Sequence, residues 1–405
     1  MILPYDANPY RVEGPTVSQF DVVVVGLGAV GSSALFALAG TGARVIGIDR
    51  FNPPHAFGSS HGETRITRQA IGEGQAYVPL VVRSNQILDV LGSEFGEPLI
   101  ERCGFLLIAR NDATTSCHGK PGFLATTMAA AQKFAIPHEC LTSSEVAQRF
   151  PQFAGLYGDE EAYYEPGGGY VRPEQTIAAL LSGAKARGAT IKTDTQVRSI
   201  VRDRSGFRVK AAAFDVMAQS VIVATGAWVS ELSPSVIAPI VRICRQVLHW
   251  FPVTDLSFYR PGLSPTFYWT HGASSADQFY GFPPIDGHIK VAAEQYTETW
   301  DPNDLSREVD PSEQLQMSEV HIAGRLAGVA DLPTRSKACL YSVTPDFDFV
   351  VGEEGHPDFH VVSACSGHGF KHAPAVGEAV AMKALGIKAT VDTSSFGAAR
   401  FSGSV

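Results

Sequence analysis

The chain has 405 residues, of which 45% are hydrophobic and 18% are charged, and its formal net charge is −9. A chain of this length buries a large core and is expected to form two domains, and its composition argues against extensive disorder. The negative charge disfavours nucleic acid or an anionic membrane as the main partner, so we expect a small-molecule substrate.

The cysteines predict neither a metal centre nor a disulfide framework. The six of them show no CxxC pair and no metal-ligand spacing. The first residues lack the basic and apolar regions of a signal peptide, and no apolar run approaches the roughly 18 residues of a membrane span. We therefore expect a soluble cytoplasmic protein, either a monomer or a small homo-oligomer, without a metal.

In chain order, a polar, proline-bearing arm over residues 1–18 precedes the strongest pattern, a β-α-β unit over residues 21–49. Four valines at positions 22–25 lead into a glycine turn and an Ala/Leu-rich helix. A second strand then runs from Val45 to Ile48. A continuous apolar strand of this kind predicts a parallel sheet that is covered on both faces.

The glycine turn matches the G-x-G-x-x-G fingerprint of dinucleotide-binding domains. Gly26 permits the tight turn, Gly28 lets the backbone approach a pyrophosphate, and Gly31 lets helix and strand pack closely. The helix N-terminus favours the negative charge of the phosphates. Asp49 ends the next strand, where a carboxylate can accept hydrogen bonds from ribose hydroxyls. The pattern predicts a dinucleotide site and leaves FAD and NAD open.

Further α/β elements follow much later in the chain, and they favour FAD because a simple NAD domain is usually contiguous. They are a helix over 173–185, a strand at 190–192, a buried strand that enters the turn Ala224-Thr225-Gly226, and a strand, glycine turn and helix over 359–387. Alternating apolar patterns at 278–282 and 289–292 instead predict a mostly antiparallel sheet.

These patterns predict an α/β fold with two domains. The first is a discontinuous Rossmann-like FAD-binding domain made of residues 19–90, 155–235 and 336–395. The second is a substrate domain, with a mostly antiparallel sheet and helices, made of residues 91–154 and 236–335.

Several longer motifs follow one another along the chain. They are the passage from Asn52 to Leu80, Tyr280-Gly281-Phe282-Pro283, Lys290, Cys339-Leu340-Tyr341, and the passage from Ser366 to Lys371. Together they resemble the monomeric sarcosine oxidase family of flavoenzymes, which includes N-methyltryptophan oxidase. The resemblance covers nearly the whole chain in the right order.

The resemblance implies an FAD enzyme that oxidises the carbon–nitrogen bond of a secondary amino acid. The imine product hydrolyses, and oxygen reoxidises the flavin to give hydrogen peroxide. By position, Cys339 matches the cysteine that carries FAD through a thioether, and Lys290 matches the lysine implicated in oxygen activation. Arg68 and Lys371 match the pair that holds the substrate carboxylate.

Further residues are expected around flavin and substrate. Those matched by position are His61, Arg65, Tyr280 and Tyr341, and Thr64 and Val197 are added as cofactor contacts. Backbone N–H groups from Gly367 to Phe370, including Gly369, and the helix that they open are expected to stabilise negative charge on a reduced flavin, together with the charge of Lys371.

One position departs from the family pattern. Four residues after Lys290 the family carries a histidine, whereas this chain has Glu294. A carboxylate there would repel a small carboxylate substrate or favour one with a cationic side chain. We therefore expect that sarcosine is not the best substrate.

Other functions stay open at this point. A flavin-dependent dehydrogenase of D-amino acids or cyclic imino acids would use another electron acceptor, although Lys290 favours the oxidase. An NAD-dependent dehydrogenase and a nonenzymatic nucleotide-binding module fit the motifs less well.

Overall fold

The computed structural model describes residues 18–110, 117–233, 237–260 and 262–401. The arm predicted for residues 1–18 lies outside these ranges except for Ser18, which begins the first strand. In chain order the strands of the described residues are β1 (Ser18–Val25), β2 (Val45–Ile48), β3 (Arg65–Thr67), β4 (Ile100–Glu101), β5 (Phe105–Arg110), β6 (Glu139–Thr142), β7 (Glu160–Glu165), β8 (Gly169–Val171), β9 (Thr190–Lys192), β10 (Val197–Asp203), β11 (Gly206–Ala211), β12 (Asp215–Val223), β13 (Arg242–Pro252), β14 (Thr266–Thr270), β15 (Gln278–Gly281), β16 (His288–Ala293), β17 (Arg335–Val343), β18 (Val350–Glu353) and β19 (Phe359–Ser363). The α-helices are α1 (Ala29–Ala39), α2 (Val78–Phe95), α3 (Phe123–Lys133), α4 (Ser143–Arg149), α5 (Pro173–Ala186), α6 (Val229–Leu232), α7 (Pro311–Met317) and α8 (Ala373–Ala384).

The first sheet is built around β1, which pairs in parallel with β2 on one side and with β12 on the other. Strand β9 extends the sheet beyond β2, and β19 runs parallel to the end of β12. Antiparallel β10, β11 and β18 complete it. The valines at positions 22–25 are at most 4% exposed, as a strand covered on both faces requires.

The two faces of β1 pack against different layers. Val22 and Val24 share a core with Leu35 and Leu38 of α1 and with residues of α5 and α8. Val23 and Val25 instead pack with residues of β10, β11 and β12. Alternate residues of a strand point to opposite faces, so β1 contributes to both cores. The sequence prediction of a Rossmann-like parallel sheet is confirmed.

The second sheet has the strand order β17-β13-β16-β15-β14-β5-β7-β6. All neighbouring pairs are antiparallel except β14 and β5. The mostly antiparallel sheet predicted from the alternating patterns is therefore present. The parallel pair joins a strand within residues 91–154 to a strand within residues 236–335, the two segments of the predicted substrate domain.

Alternation along these strands separates a core face from a face that carries the polar residues. On β16, Ile289 and Val291 join an aromatic core with Phe279. Ala292, of opposite facing, packs with Leu248, Trp250 and Cys339 in another cluster. The period of two therefore places Lys290 and Ala292 on the face opposite to that core, as the sequence pattern predicted.

A small third sheet, in the order β3-β8-β4, carries Arg65 on its first strand. The division into two domains stays a prediction. Two strands near the ends of its predicted segments pair with the sheet of the other predicted domain. Strand β7 and nearly all of β17 belong to predicted FAD segments, yet both lie in the second sheet. Pairing across the chain decides membership of a sheet, and composition alone does not encode it. Within the described residues, no helix combines the length and apolar character needed to cross a bilayer.

Candidate active site

A cavity extends from the glycine turn after β1 to the tyrosines of the second sheet. It lies at the carboxyl ends of β1, β2 and β12, where ligands of open α/β sheets bind. Most of the predicted site residues line it. They are Gly26, Gly28, Asp49, Arg65, Arg68, Val197, Tyr280, Tyr341, Gly367, Gly369 and Lys371.

The three glycines of the fingerprint have different steric surroundings. Gly26 has a φ of +87°, and a Cβ there would lie 2.6 Å from the carbonyl oxygen of Ala224. A Cβ on Gly31 would lie 1.8 Å from the carbonyl oxygen of Gly26, which explains why helix and strand require glycine. A Cβ on Gly28 would meet nothing within 4 Å. The open space at the N-terminus of α1 is therefore beside Gly28.

Asp49 is fixed at the end of β2 by two backbone donors. Its Oδ2 accepts a hydrogen bond from Leu27 N at 2.6 Å, and its Oδ1 accepts one from Phe51 N at 2.8 Å. Burial raises the pKa of this carboxyl, while the two backbone N–H groups oppose the shift. Asp49 therefore faces the cavity in a single orientation.

A second glycine turn closes the other side of the cavity. Ser366 and Gly367 both have positive φ, at 43° and 85°. A Cβ on Gly369 would lie 1.8 Å from the carbonyl oxygen of Ala364. A 3-10 turn at Phe370–His372 follows, and α8 begins only at Ala373. Lys371 therefore lies in the turn that leads into the helix.

The two predicted carboxylate-binding cations converge on one buried anion. Arg68 Nη2 lies 2.9 Å from Glu73 Oε2, and Lys371 Nζ lies 3.8 Å from Glu73 Oε1. The Glu73 side chain is fully enclosed. Burial would raise the pKa of Glu73, but Arg68 and Lys371 hold it well below its usual value. Burial lowers the pKa of Lys371 to about 8, against the opposing effect of Glu73.

His118 and Glu294 extend this charge network across the cavity. His118 Nδ1 lies 3.1 Å from Glu73 Oε1, and His118 Nε2 lies 3.1 Å from Glu294 Oε1. Burial alone would lower the pKa of His118, but Cys117 and Glu294 raise it well above its usual value. Burial also raises the pKa of the Cys117 thiol. His118 lies between the two carboxylates, so Glu294 has a partner of opposite charge, and the expectation that sarcosine is not the best substrate stays a prediction.

Sequence reasoning did not identify His118, Glu73 or Cys365. His118 has a φ of +49°, and this strained backbone is the one local signal of function. Glu73 stands in a passage quoted for the family resemblance, but its pairing with Arg68 depends on the fold. Cys365 lines the cavity directly before the second glycine turn.

Five predicted residues are not among those that line the cavity: Gly31, Thr64, Lys290, Cys339 and His61. Gly31 serves helix packing instead. Lys290 Nζ donates to the carbonyl oxygens of Gly62 at 2.7 Å and Thr64 at 2.6 Å. Burial and the nearby Arg65 hold the pKa of Lys290 well below its usual value. Cys339 is fully buried, with its Sγ 3.6 Å from Arg65 Nη2.

His61, the fifth of these residues, is 1% exposed, and neither of its ring nitrogens has a hydrogen-bond partner among the described residues. Burial lowers the pKa of His61 to about 3, so the ring is neutral at physiological pH. A buried imidazole without a partner is costly in a folded protein.

The residues of the cavity fit FAD. The free space beside Gly28 meets the N-terminus of an eleven-residue helix, where a pyrophosphate is favoured. The buried hydroxyl of Thr225 lines the cavity without a partner among the described residues. Gly26, Asp49 and Val197 lie at the same end, and the second glycine turn lies towards the tyrosines.

Known proteins resemble the chain along almost all of its length. The profile of the family described as FAD dependent oxidoreductase matches residues 21–382. Monomeric sarcosine oxidase of Streptomyces avermitilis is 36% identical over 373 residues, which are 90% of this chain and 94% of that protein. N-methyl-L-tryptophan oxidase of Yersinia pestis is 32% identical over 387 residues, which are 94% of this chain and 99% of that protein.

Solved structures agree on the fold. NikD, an unusual amino acid oxidase essential for nikkomycin biosynthesis, superposes with a TM-score of 0.82 at 23% identity and covers 94% of this chain and 97% of its own. L-proline dehydrogenase from P. horikoshii superposes with a TM-score of 0.79 at 21% identity, and the superposition covers 96% of this chain and 99% of that one. The fold, the cavity and the sequence relatives agree, and the chain belongs to the FAD-dependent oxidoreductase family.

Proposed function

We propose that this enzyme is an oxidase of secondary amino acids with N-methyl or other N-alkyl groups, and that it uses oxygen as its electron acceptor. The observation that carries the proposal is the convergence of Arg68 and Lys371 at the tyrosine end of a cavity that begins at a dinucleotide turn. Two cations at one end can hold the carboxylate of an amino acid.

In this proposal the protein binds the substrate carboxylate and orients its Cα–H bond. Arg68 offers a planar guanidinium, and Lys371 offers a point charge that is present below pH 8. The hydroxyls of Tyr280 and Tyr341 lie 3.3 Å apart and form part of the wall beside the substrate. When bound, FAD would supply the hydride acceptor at flavin N5 and pass the electrons to oxygen. The imine product then hydrolyses in water. In the oxidative half-reaction, oxygen would be reduced to hydrogen peroxide.

We also propose that FAD is attached covalently through Cys339. The Cys339 Sγ lies beside the Arg65 guanidinium, and a neighbouring cation stabilises negative charge that develops on sulfur. Ser59, which lines the cavity, has its carbonyl oxygen 3.7 Å from this Sγ. The thiol is therefore one residue away from the cavity space.

A second candidate is a flavin-dependent amino acid dehydrogenase with another electron acceptor. The placement of Lys290 favours it, because its Nζ donates to two backbone carbonyls and the residue is not among those that line the cavity. A cation near the flavin would be needed to stabilise charge on oxygen as it takes the first electron.

The test uses the purified flavoprotein and a panel of secondary, primary, tertiary and cyclic amino acids. Anaerobic bleaching of the flavin absorbance reports substrate oxidation, and peroxide after admission of air reports the acceptor. We expect bleaching by secondary amino acids, followed by rapid reoxidation and peroxide. Bleaching without reoxidation would support the dehydrogenase, and an absence of bleaching by every secondary amino acid would contradict the proposal.

A further inference from the structure

Two carboxylates flank His118, and only one of them faces the cavity. Glu73 is enclosed and paired with Arg68, Lys371 and His118. Glu294 lines the cavity with a side chain that is 4% exposed. Among the described residues that line the cavity, the other carboxylates are Asp49 and Glu231, which lie near the dinucleotide turn. Glu294 is therefore the acid that a substrate at the tyrosine end can meet.

Glu294 is held in place from several elements. It follows β16, accepts a hydrogen bond from Tyr296 at 3.0 Å, and lies 3.5 Å from the hydroxyl of Tyr268 on β14. His118, from the turn before α3, lies against its other oxygen. The titratable and charged groups that face it are Cys117, His118, Tyr268, Tyr280, Tyr296, Tyr341 and Lys371.

The reaction proposed above requires a free amine. Amino acids are zwitterions at neutral pH, and only a nitrogen with its lone pair can stabilise the cation that forms as hydride leaves Cα. Arg65, Arg68 and Lys371 line the cavity, and their charges favour loss of the ammonium proton. The proton therefore needs an acceptor within reach of the bound substrate.

The neighbouring groups do not provide that acceptor. His368 also lines the cavity, but its Nδ1 lies 3.9 Å from Glu73 Oε1, and burial holds its pKa well below the usual value, which makes it a weak base. His118 is already protonated, because its pKa is raised well above the usual value. Burial raises the pKa of Tyr268, Tyr280 and Tyr341, so each hydroxyl keeps its proton. Lys371 is cationic below pH 8, and in the proposed function it binds the carboxylate of the substrate. Among these described residues, Glu294 offers the acceptor: its Oε1 is in contact with His118 alone and keeps a second lone pair for an amine N–H.

We propose that Glu294 accepts the proton of the substrate ammonium and that His118 is the positioning residue that holds its carboxylate. The N–H bond breaks, an O–H bond forms on Glu294, and nitrogen keeps the electron pair. Cα–H then leaves as hydride with two electrons for the flavin, which gives the imine. Glu294 releases its proton to water with the product. This inference rests on the proposed function.

The first test is the pH profile of kcat/KM for wild type and Glu294→Gln. At pH 7 we expect a loss of about 100-fold in the variant, within the range for a positioned acid or base. Because the variant depends on free amine from solution, the ratio of wild type to variant should fall about tenfold per pH unit towards the amine pKa. Loss of the Glu294 charge also lowers the pKa of Lys371, which would make the ratio rise with pH, opposite to the expected fall. A loss that is equal at every pH, or no loss, would overturn the inference.

A matched substrate pair makes the test sharper. N-ethylglycine and N-(2,2,2-trifluoroethyl)glycine differ little in size, but the fluorines lower the basicity of the amine. Glu294→Gln should lose activity at pH 7 with the first and little with the second. Glu298→Gln, an exposed acid outside the cavity, should behave as wild type with both. Equal losses on the two substrates would refute proton transfer to Glu294.

A binding measurement gives a readout that does not depend on turnover. N-methyl-2-aminoisobutyrate has no Cα hydrogen and cannot be oxidised. At pH 7, below the pKa of about 8 of Lys371, its binding to wild type should release almost no net proton, whereas binding to Glu294→Gln should release about one, as measured by calorimetry in two buffers. Equal proton release by both would contradict the inference.

Folding and function are controlled separately. Glu294→Gln leaves His118 with one carboxylate, Glu73. The double variant His118→Gln/Glu294→Gln removes this imidazole and the Glu294 carboxylate together, and it must show the same fluorine rescue. His118→Gln alone keeps the acceptor but removes the neighbouring cation. Because the acceptor remains, the loss of kcat/KM in this variant should be smaller than in Glu294→Gln and nearly the same at every pH. If no secondary amino acid bleaches wild-type flavin, both this inference and the proposed function fail; if wild type reacts and these ratios are flat, only the inference fails.

Discussion

The two ends of the cavity are built from different materials. At the dinucleotide end the backbone forms the site, because Gly26, Gly28 and the N-terminus of α1 lie within one short segment. At the tyrosine end, side chains from separate elements meet, and Glu73 draws together Arg68, His118 and Lys371. The first end depends on steric space and the second on balanced buried charge.

This difference predicts different failures. A change at the dinucleotide end should act through shape. Depending on where the added atoms lie, it should reduce either the stability of the fold or the binding of the cofactor. A change at the tyrosine end should act through an uncompensated charge, because the Glu73 side chain is fully enclosed and water cannot solvate the partners left behind.

The largest effect is expected for Glu73→Gln. Removal of one member of a buried ion pair costs about 3 to 5 kcal/mol, because the remaining charge is desolvated. We expect a corresponding fall in the free energy of unfolding, which chemical denaturation measures. Glu378→Gln is the control, since its pair with the partly exposed Arg83 should contribute about 1 kcal/mol or less. Equal losses in the two variants would show that the buried network has no special weight.

Next in size is Gly31→Ala, compared with Gly28→Ala. Alanine normally favours a helix, but a Cβ on Gly31 would overlap the Gly26 carbonyl, and such overpacking costs about 3 kcal/mol. A Cβ on Gly28 meets open space, so its stability should change by about 0.5 kcal/mol or less while FAD content falls. Unfolding of the apoprotein and visible absorbance of the purified protein measure the two effects. Normal flavin content in Gly28→Ala would contradict a pyrophosphate beside this residue.

The same contrast explains what the sequence could predict. The β-α-β unit, the strand Val45–Ile48 and the turn at Gly26 were predicted correctly because neighbours in sequence form them. The alternation at Lys290 also predicted its facing. The partners of that lysine, the carbonyls of Gly62 and Thr64, come from a distant loop and could not be predicted.

At the tyrosine end, sequence patterns identified candidates without their contacts. The family resemblance suggested Arg68 and Lys371, but nothing in spacing indicates that both contact Glu73. Glu294 was noted as a departure, and its carboxylate was expected to influence the choice of substrate. The imidazole that offsets it belongs to His118, which the chain supplies from a turn before α3. Long-range pairing of charges depends on the fold, and a single sequence does not encode it locally.

A smaller effect is expected for Lys371→Met, and it tests the charge at the tyrosine end during binding. A hydrogen bond between charged groups contributes about 1.5 to 3 kcal/mol, so the KM for an amino acid should rise about tenfold or more. The ammonium prevails below a pKa of about 8, so substrate binding in wild type should weaken as pH rises above 8. The variant should lack this dependence. Lys383→Met, at the end of α8, is the control, and a wild-type pH dependence in Lys371→Met would assign the titration to another group.

The smallest effect on stability, and the sharpest chemical one, is expected for Cys339→Ser. The hydroxyl replaces a buried thiol with little change in volume, so the variant should fold. When the variant is denatured in acid, its flavin should be released into solution. In wild type the flavin should stay with the precipitated protein, because a thioether survives acid. Cys365→Ser is the matched control, since Cys365 lines the cavity and its flavin should remain bound. Release from Cys365→Ser and retention in Cys339→Ser would move the attachment to the cysteine beside the second glycine turn, and release from wild type would exclude a covalent bond altogether.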